Sequence, residues 1–143
     1  MKIVVGGIIK KDNKVLLVQE AKSICYGKWN LPAGTLQLNE SLIEGATREI
    51  KEETGCDVEI TGVLNIGHRF EKEQLLVSVI FSTNLLNENI EFNSNEILDV
   101  KWIDIDKIMN KMDDSIRDIN LLKQPLNNLL NNNIGPLEIV NKL

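Results

Sequence analysis

Residues 41–55, SLIEGATREIKEETG, specify a helix with both ends fixed. Ser41, with Glu44 three residues on, forms a capping box in which each side chain takes a backbone N–H of the first turn. Gly55 supplies the stop at the other end. At about 100° per residue, Leu42, Ile43, Ala46 and Ile50 fall on one side and call for a sheet to pack against. Glu49, Glu52, Glu53 and Gly45 fall in an adjacent arc, so three carboxylates project from the rim of the apolar stripe, and Gly45 leaves space among them. Glu49 and Glu53 stand four apart, a like-charge arrangement that weakens a helix by a few tenths of a kcal/mol, about 0.2–0.5. Arg48 is within reach of Glu44 and Glu52, each four residues away. Taken alone, this pattern fits a solvated acidic face as well as a cation site. Clustered carboxylates are the oxygen ligands that hard divalent cations take.

The flanking segments supply the sheet. Residues 3–9 and 15–18 read as strands joined by a tight hairpin at Asp12-Asn13. Residues 21–30 read as a loop, and 31–34 as a short strand ending at a glycine turn. Strands are predicted at 57–69, 74–83 and 97–103, with an Asn-rich loop over 84–95. The run 74–81 is almost continuously apolar, as in a strand covered on both faces. A short helix opens near 104–107. Met112, Ile116, Ile119 and Leu122 then recur at helical spacing, and Pro125 should break or offset that helix. With 143 residues, 43% of them hydrophobic, the chain is sized for one domain with a core. Strands on both sides of a central helix, with more helix at the end, predict an α/β fold: a mixed sheet sandwiched between helices, α/β/α.

A net charge of −5 and a pI near 4.9 argue against broad electrostatic binding to nucleic acid or anionic membranes. One nucleotide is still allowed, because a bound cation reverses the local field. Cys25 and Cys56 form no disulfide framework, no stretch reaches the length of a membrane span, and the first residues resemble no cleaved leader. The chain reads as cytoplasmic, and its oligomeric state is open between monomer and homodimer.

Extended upstream, the helix acquires a register. Gly34, Glu40, Arg48, Glu49, Ile50, Glu52, Glu53 and Gly55 follow the pattern G-x5-E-x7-R-E-U-x-E-E-x-G-U, with U a bulky aliphatic, which resembles the Nudix box. Cys56 stands at the last aliphatic position, a departure expected to touch packing rather than chemistry. The lead-in Trp29-Asn30-Leu31-Pro32-Ala33 is also similar to the family's. The box spans 34–56, and the strand pattern around it is compatible with a single Nudix domain over 1–143. The resemblance implies hydrolysis of a nucleoside diphosphate linked to another group, with Mg²⁺ or Mn²⁺ as cofactor. It implies Glu49, Glu52, Glu53 and the Gly34 carbonyl as metal ligands, Arg48 as the residue that orients the carboxylates, and Glu40 as a brace for the loop. The general base is left open among Glu52, Glu53 and Glu96, which precedes the last strand and is otherwise a metal ligand or a solvated acid.

For substrate contacts the sequence offers His68 and Arg69 at the end of a strand, and Trp29, each with a plain structural role as its alternative. The short layout is similar to MutT-type enzymes, which implies nucleoside triphosphates, oxidised ones included, as the small-molecule partner. Two other readings stay open: a nucleotide-binding or regulatory module without turnover, and a pyrophosphohydrolase of RNA 5′ ends.

Overall fold

The computed structural model describes residues 1–143. The elements run β1 (Lys2–Ile8), β2 (Lys10–Lys11), β3 (Lys14–Glu20), β4 (Trp29–Asn30), β5 (Ala33–Thr35), α1 (Leu42–Thr54), β6 (Asp57–Glu71), β7 (Gln74–Asn87), β8 (Ile97–Asp104), α2 (Ile105–Lys111), α3 (Ile119–Leu130) and β9 (Gly135–Pro136). One sheet has the order β5-β1-β7-β6-β9, with β1 and β7 parallel and the other pairs antiparallel. In the second sheet β3 lies between β4 and β8 and also pairs with β2.

Strand alternation sends side chains into two apolar layers. Leu16 and Val18 of β3 enter the layer under α1, with Ala46, Ile50, Val79 and Phe81. Val15 and Leu17 enter the opposite layer, with Ile80 and with Ile108, Leu122 and Leu126 of α2 and α3. The α/β/α architecture expected from the sequence is therefore present, and the near-continuous apolar runs are strands covered on both faces.

Both ends of α1 form as expected. Glu44 N–H donates to the Ser41 hydroxyl at 3.0 Å, and Ser41 N–H donates to Glu44 at 2.6 Å. Gly55 closes the helix at φ 79° and donates to the Lys51 carbonyl. Asp12, at φ 54°, turns the first hairpin.

Three expectations fail. The β6–β7 hairpin is longer than predicted, because β7 runs on to Asn87 through residues read as loop. Its turn is Lys72-Glu73, both at positive φ, a primed turn built without the Asn-Gly signature. The spacing of Met112, Ile116, Ile119 and Leu122 does not belong to one helix: α2 stops at Lys111, a 3-10 turn occupies Asp113–Ser115, and Asp118 caps α3 by accepting from Leu121 N–H at 3.1 Å. Met112, Ile116 and Leu122 are all buried, so the periodicity reports a common core and not a continuous helix. Pro125 does not break α3, which continues through it to Leu130. Pro125 is buried on the same helix as Leu122 and Leu126.

Candidate active site

A cleft of about 980 Å³ opens beside α1, between the box loop, the β6–β7 hairpin and the N-terminus of α3. The capping box fixes where α1 starts, and that sets the direction of each carboxylate. Glu53, 7% exposed, accepts a hydrogen bond from Ala33 N–H at 2.9 Å. Glu49 lies against β5, its carboxylate about where a side chain at position 34 would begin: a Cβ added to Gly34 would stand 2.2 Å from it. Glu52 is half exposed on the same wall.

Arg48 ties this wall together. It donates to both oxygens of Glu40, at 2.9 and 2.7 Å, to Glu49 at 2.7 Å, to Glu52 at 3.2 Å and to the Thr35 carbonyl at 3.1 Å. Glu40 also accepts from Gln37 N–H at 2.7 Å, so it braces the loop between β5 and α1. The Arg48 contact, with help from Gln37, holds the Glu40 carboxyl down to about 2. Arg48 does not reach Glu44, because the capping box occupies that side chain. Nor is Gly45 the open space expected beside the acids. Leu36, Glu40 and Val5 press on it, and a Cβ there would lie 2.8 Å from Leu36, so it admits the loop rather than a ligand.

The acids are mutually unfavourable as they stand. Burial first, then the charges of Glu20 and Glu49, raises the proton affinity of Glu53 well above the usual carboxylate range. Burial also raises that of Glu49, against the opposing hydrogen bond from Arg48. No three acidic, histidine or cysteine side chains converge closely enough to grip an ion in these rotamers. The donor set nevertheless fits a hard divalent cation. It is all oxygen, it is crowded with like charge, it sits where only glycine leaves room, and half-exposed Glu52 is free to turn.

Of the other predicted residues, Glu96 and Arg69 line the cleft. Arg69 pairs with Glu71 at 2.5 Å and with Asp118 at 2.6 Å. His68 does not line it, since alternation along β6 turns it away from its neighbour Arg69. Trp29 does not line it either. It packs on the layer under α2 and α3, and its carbonyl accepts from Arg117 N–H at 2.8 Å.

Among the cleft residues that escaped the sequence reading, Glu20 and Arg117 form an ion pair. Glu20, 4% exposed, ends β3 and pairs with Arg117 at 3.0 Å. Its position two residues beyond Val18, on the row turned toward α1, was an available signal. Arg117 gave no local signal, because its partner lies far away in sequence.

The NUDIX domain model matches residues 1–124, and the chain belongs to the Nudix family. A NUDIX hydrolase structure from Nitrosomonas europaea superposes with a TM-score of 0.89, at 27% identity, covering 99% of this chain and 97% of that one. Nudix hydrolase 8 of Arabidopsis thaliana is 39% identical over 107 residues, 69% of this chain and 28% of its own length. The 8-oxo-dGDP phosphatase NUDT18 of Danio rerio is 49% identical over 55 residues, 38% of this chain and 17% of its own. An ADP-ribose pyrophosphatase of Methanocaldococcus jannaschii is 30% identical over 91 residues, 62% of this chain and 54% of its own length. The matched stretch thus spans well under two thirds of the length of each of these three curated relatives. No helix is long and apolar enough to cross a membrane.

Proposed function

We propose that the chain hydrolyses a phosphoanhydride bond in a nucleoside-diphosphate-linked substrate, with nucleoside triphosphates, oxidised ones included, as the substrate class. One observation carries this reading: Glu49, Glu52 and Glu53 share one cleft wall with Gly34, and Arg48 holds that wall in register. Relatives named as an 8-oxo-dGDP phosphatase and an ADP-ribose pyrophosphatase both act, by name, on nucleoside-diphosphate compounds, which supports the class.

In this reading Glu49, Glu52, Glu53 and the Gly34 carbonyl would hold Mg²⁺ or Mn²⁺, which when bound would supply charge neutralisation on the phosphates and Lewis-acid activation of water. Arg48 keeps Glu49 and Glu52 aimed at the cleft, and Glu40 keeps Arg48 in place. The proton from water goes to Glu52, Glu53 or Glu96. Of these, Glu53 is buried, whereas Glu52 and Glu96 face solvent.

The test is a panel of nucleoside triphosphates, oxidised triphosphates and diphosphate-linked nucleotides with Mg²⁺ and Mn²⁺, with products separated by chromatography. Metal-dependent release of phosphate or pyrophosphate is expected. Nucleotide binding without any product would support a binding module instead, and preference for 5′-triphosphorylated RNA would move the assignment to RNA ends.

A further inference from the structure

The chain has three arginines, and all three line the cleft. They differ in how many donors are left over. Arg48 is consumed by Glu40, Glu49, Glu52 and the Thr35 carbonyl. Arg69 is held between Glu71 and Asp118. Arg117 gives only Nη1, to Glu20 at 3.0 Å. A guanidinium carries five N–H donors, so most of the Arg117 fork has no protein acceptor.

Arg117 is also held from several sides. Its backbone N–H donates to Trp29 at 2.8 Å, and the next residue, Asp118, both caps α3 and pairs with Arg69 at 2.6 Å. Glu20 is 4% exposed, and burying a carboxylate is costly without a charged partner. The Glu20 contact therefore fixes one edge of the guanidinium and leaves the rest, about a third exposed, open to the cleft. Acidic and basic side chains line the cleft together, and Arg117 is the one guanidinium there whose donors are mostly unspent. The other cations free of carboxylate pairs on the cleft are the lysines Lys2, Lys22, Lys28 and Lys72, each a point charge on a flexible stem rather than a planar fork.

From this we infer that Arg117 grips the phosphate chain of the substrate, and that Glu20 is the positioning residue that aims it. The identity of the anion rests on the hydrolase reading above; the grip itself is testable apart from turnover.

The probe is inorganic tripolyphosphate with Mg²⁺, titrated calorimetrically into the intact chain, alongside kcat and KM for the nucleotide turned over fastest. Arg117→Met is expected to weaken tripolyphosphate binding about 10- to 100-fold, the worth of one charge-assisted contact, and to raise KM more than it lowers kcat. Arg117→Lys should recover part of the loss, and Glu20→Gln should give a smaller loss because the cation remains but is no longer aimed. Arg117→Met alone strands a buried carboxylate, so the double variant Glu20→Gln/Arg117→Met, which removes both charges, is the decisive protein should the single one fail to fold. Tripolyphosphate affinity within twofold of the unaltered chain in that folded double variant overturns the inference, as does an unaltered chain that binds no tripolyphosphate. Turnover with no dependence on Arg117 sinks the inference and leaves the hydrolase reading intact. Arg117-dependent binding with no turnover of any nucleotide does the reverse.

Discussion

Glu53 concentrates the opposing forces of the site. It is buried, hydrogen-bonded to Ala33 N–H, and close to the charges of Glu20 and Glu49. Glu53→Gln keeps the shape and an acceptor for Ala33 while removing the charge. We expect Glu52→Gln and Glu53→Gln each to lower turnover by about a hundredfold or more with the circular-dichroism spectrum unchanged. Near-normal hydrolysis by both would remove the box acids from the mechanism. Gly34→Ala makes a complementary prediction. Its Cβ would fall 2.2 Å from the Glu49 carboxylate, which must swing off the wall. Turnover should fall at least about tenfold, with little change in the melting temperature because the displaced group is the end of a flexible side chain. At this scale the sequence showed the box residues by register, and it could not show that Glu20 is near enough to act on Glu53, since that proximity is set by how β3 and α1 meet across the core layer.

At the scale of elements, the capping box and its pH dependence are the most accessible test. Ser41→Ala removes the acceptor for Glu44 N–H and should cost about 1 kcal/mol, lowering the melting temperature by a few degrees. The hydrogen bond from Ser41 N–H, followed by the charge of Lys142, lowers the Glu44 carboxyl below its ordinary value. A depressed folded value means that the stabilisation is complete above the unfolded value of about 4.3 and disappears as pH falls through the folded one. The stability difference between the unaltered chain and Glu44→Gln should therefore be largest near neutral pH and shrink below about pH 4, as read by denaturant melts. A difference independent of pH would mean that the charge plays no part in the cap. The caps of α1 were legible because capping is local. The break between α2 and α3 was not, because Met112, Ile116 and Leu122 obey helical spacing while reaching one core from three separate segments. Pro125 misled for a related reason: the breaker rule is local, and α3 runs through this buried proline to Leu130.

Across the whole molecule, the two apolar layers carry the stability, and α3 seals the one opposite α1. Leu122 and Leu126 are fully buried there. Leu122→Ala should cost about 2–5 kcal/mol by chemical denaturation. The last residues hold the far edge of the sheet. β9 pairs with Gly62 and Val63, while Leu137 and Val140 pack on the layer under α1. Deleting 131–143 should cost about 2–4 kcal/mol from lost apolar burial, although the matched family region ends at residue 124. Unchanged denaturation midpoints would mean that the tail only rests on the fold.

By itself the sequence determined the identity and spacing of the box, the capped helix that carries it, and the strands that must sandwich it. All of these depend on residues within a few turns of one another, where periodicity, capping and turn chemistry act directly. Only the tertiary structure decided that Gly45 is filled by the loop, that His68 faces away from the cleft, and that Glu20 acts on Glu53 while pairing with Arg117. Those contacts join segments up to 97 residues apart, and side-chain direction there is set by sheet register and layer packing, which no local pattern encodes.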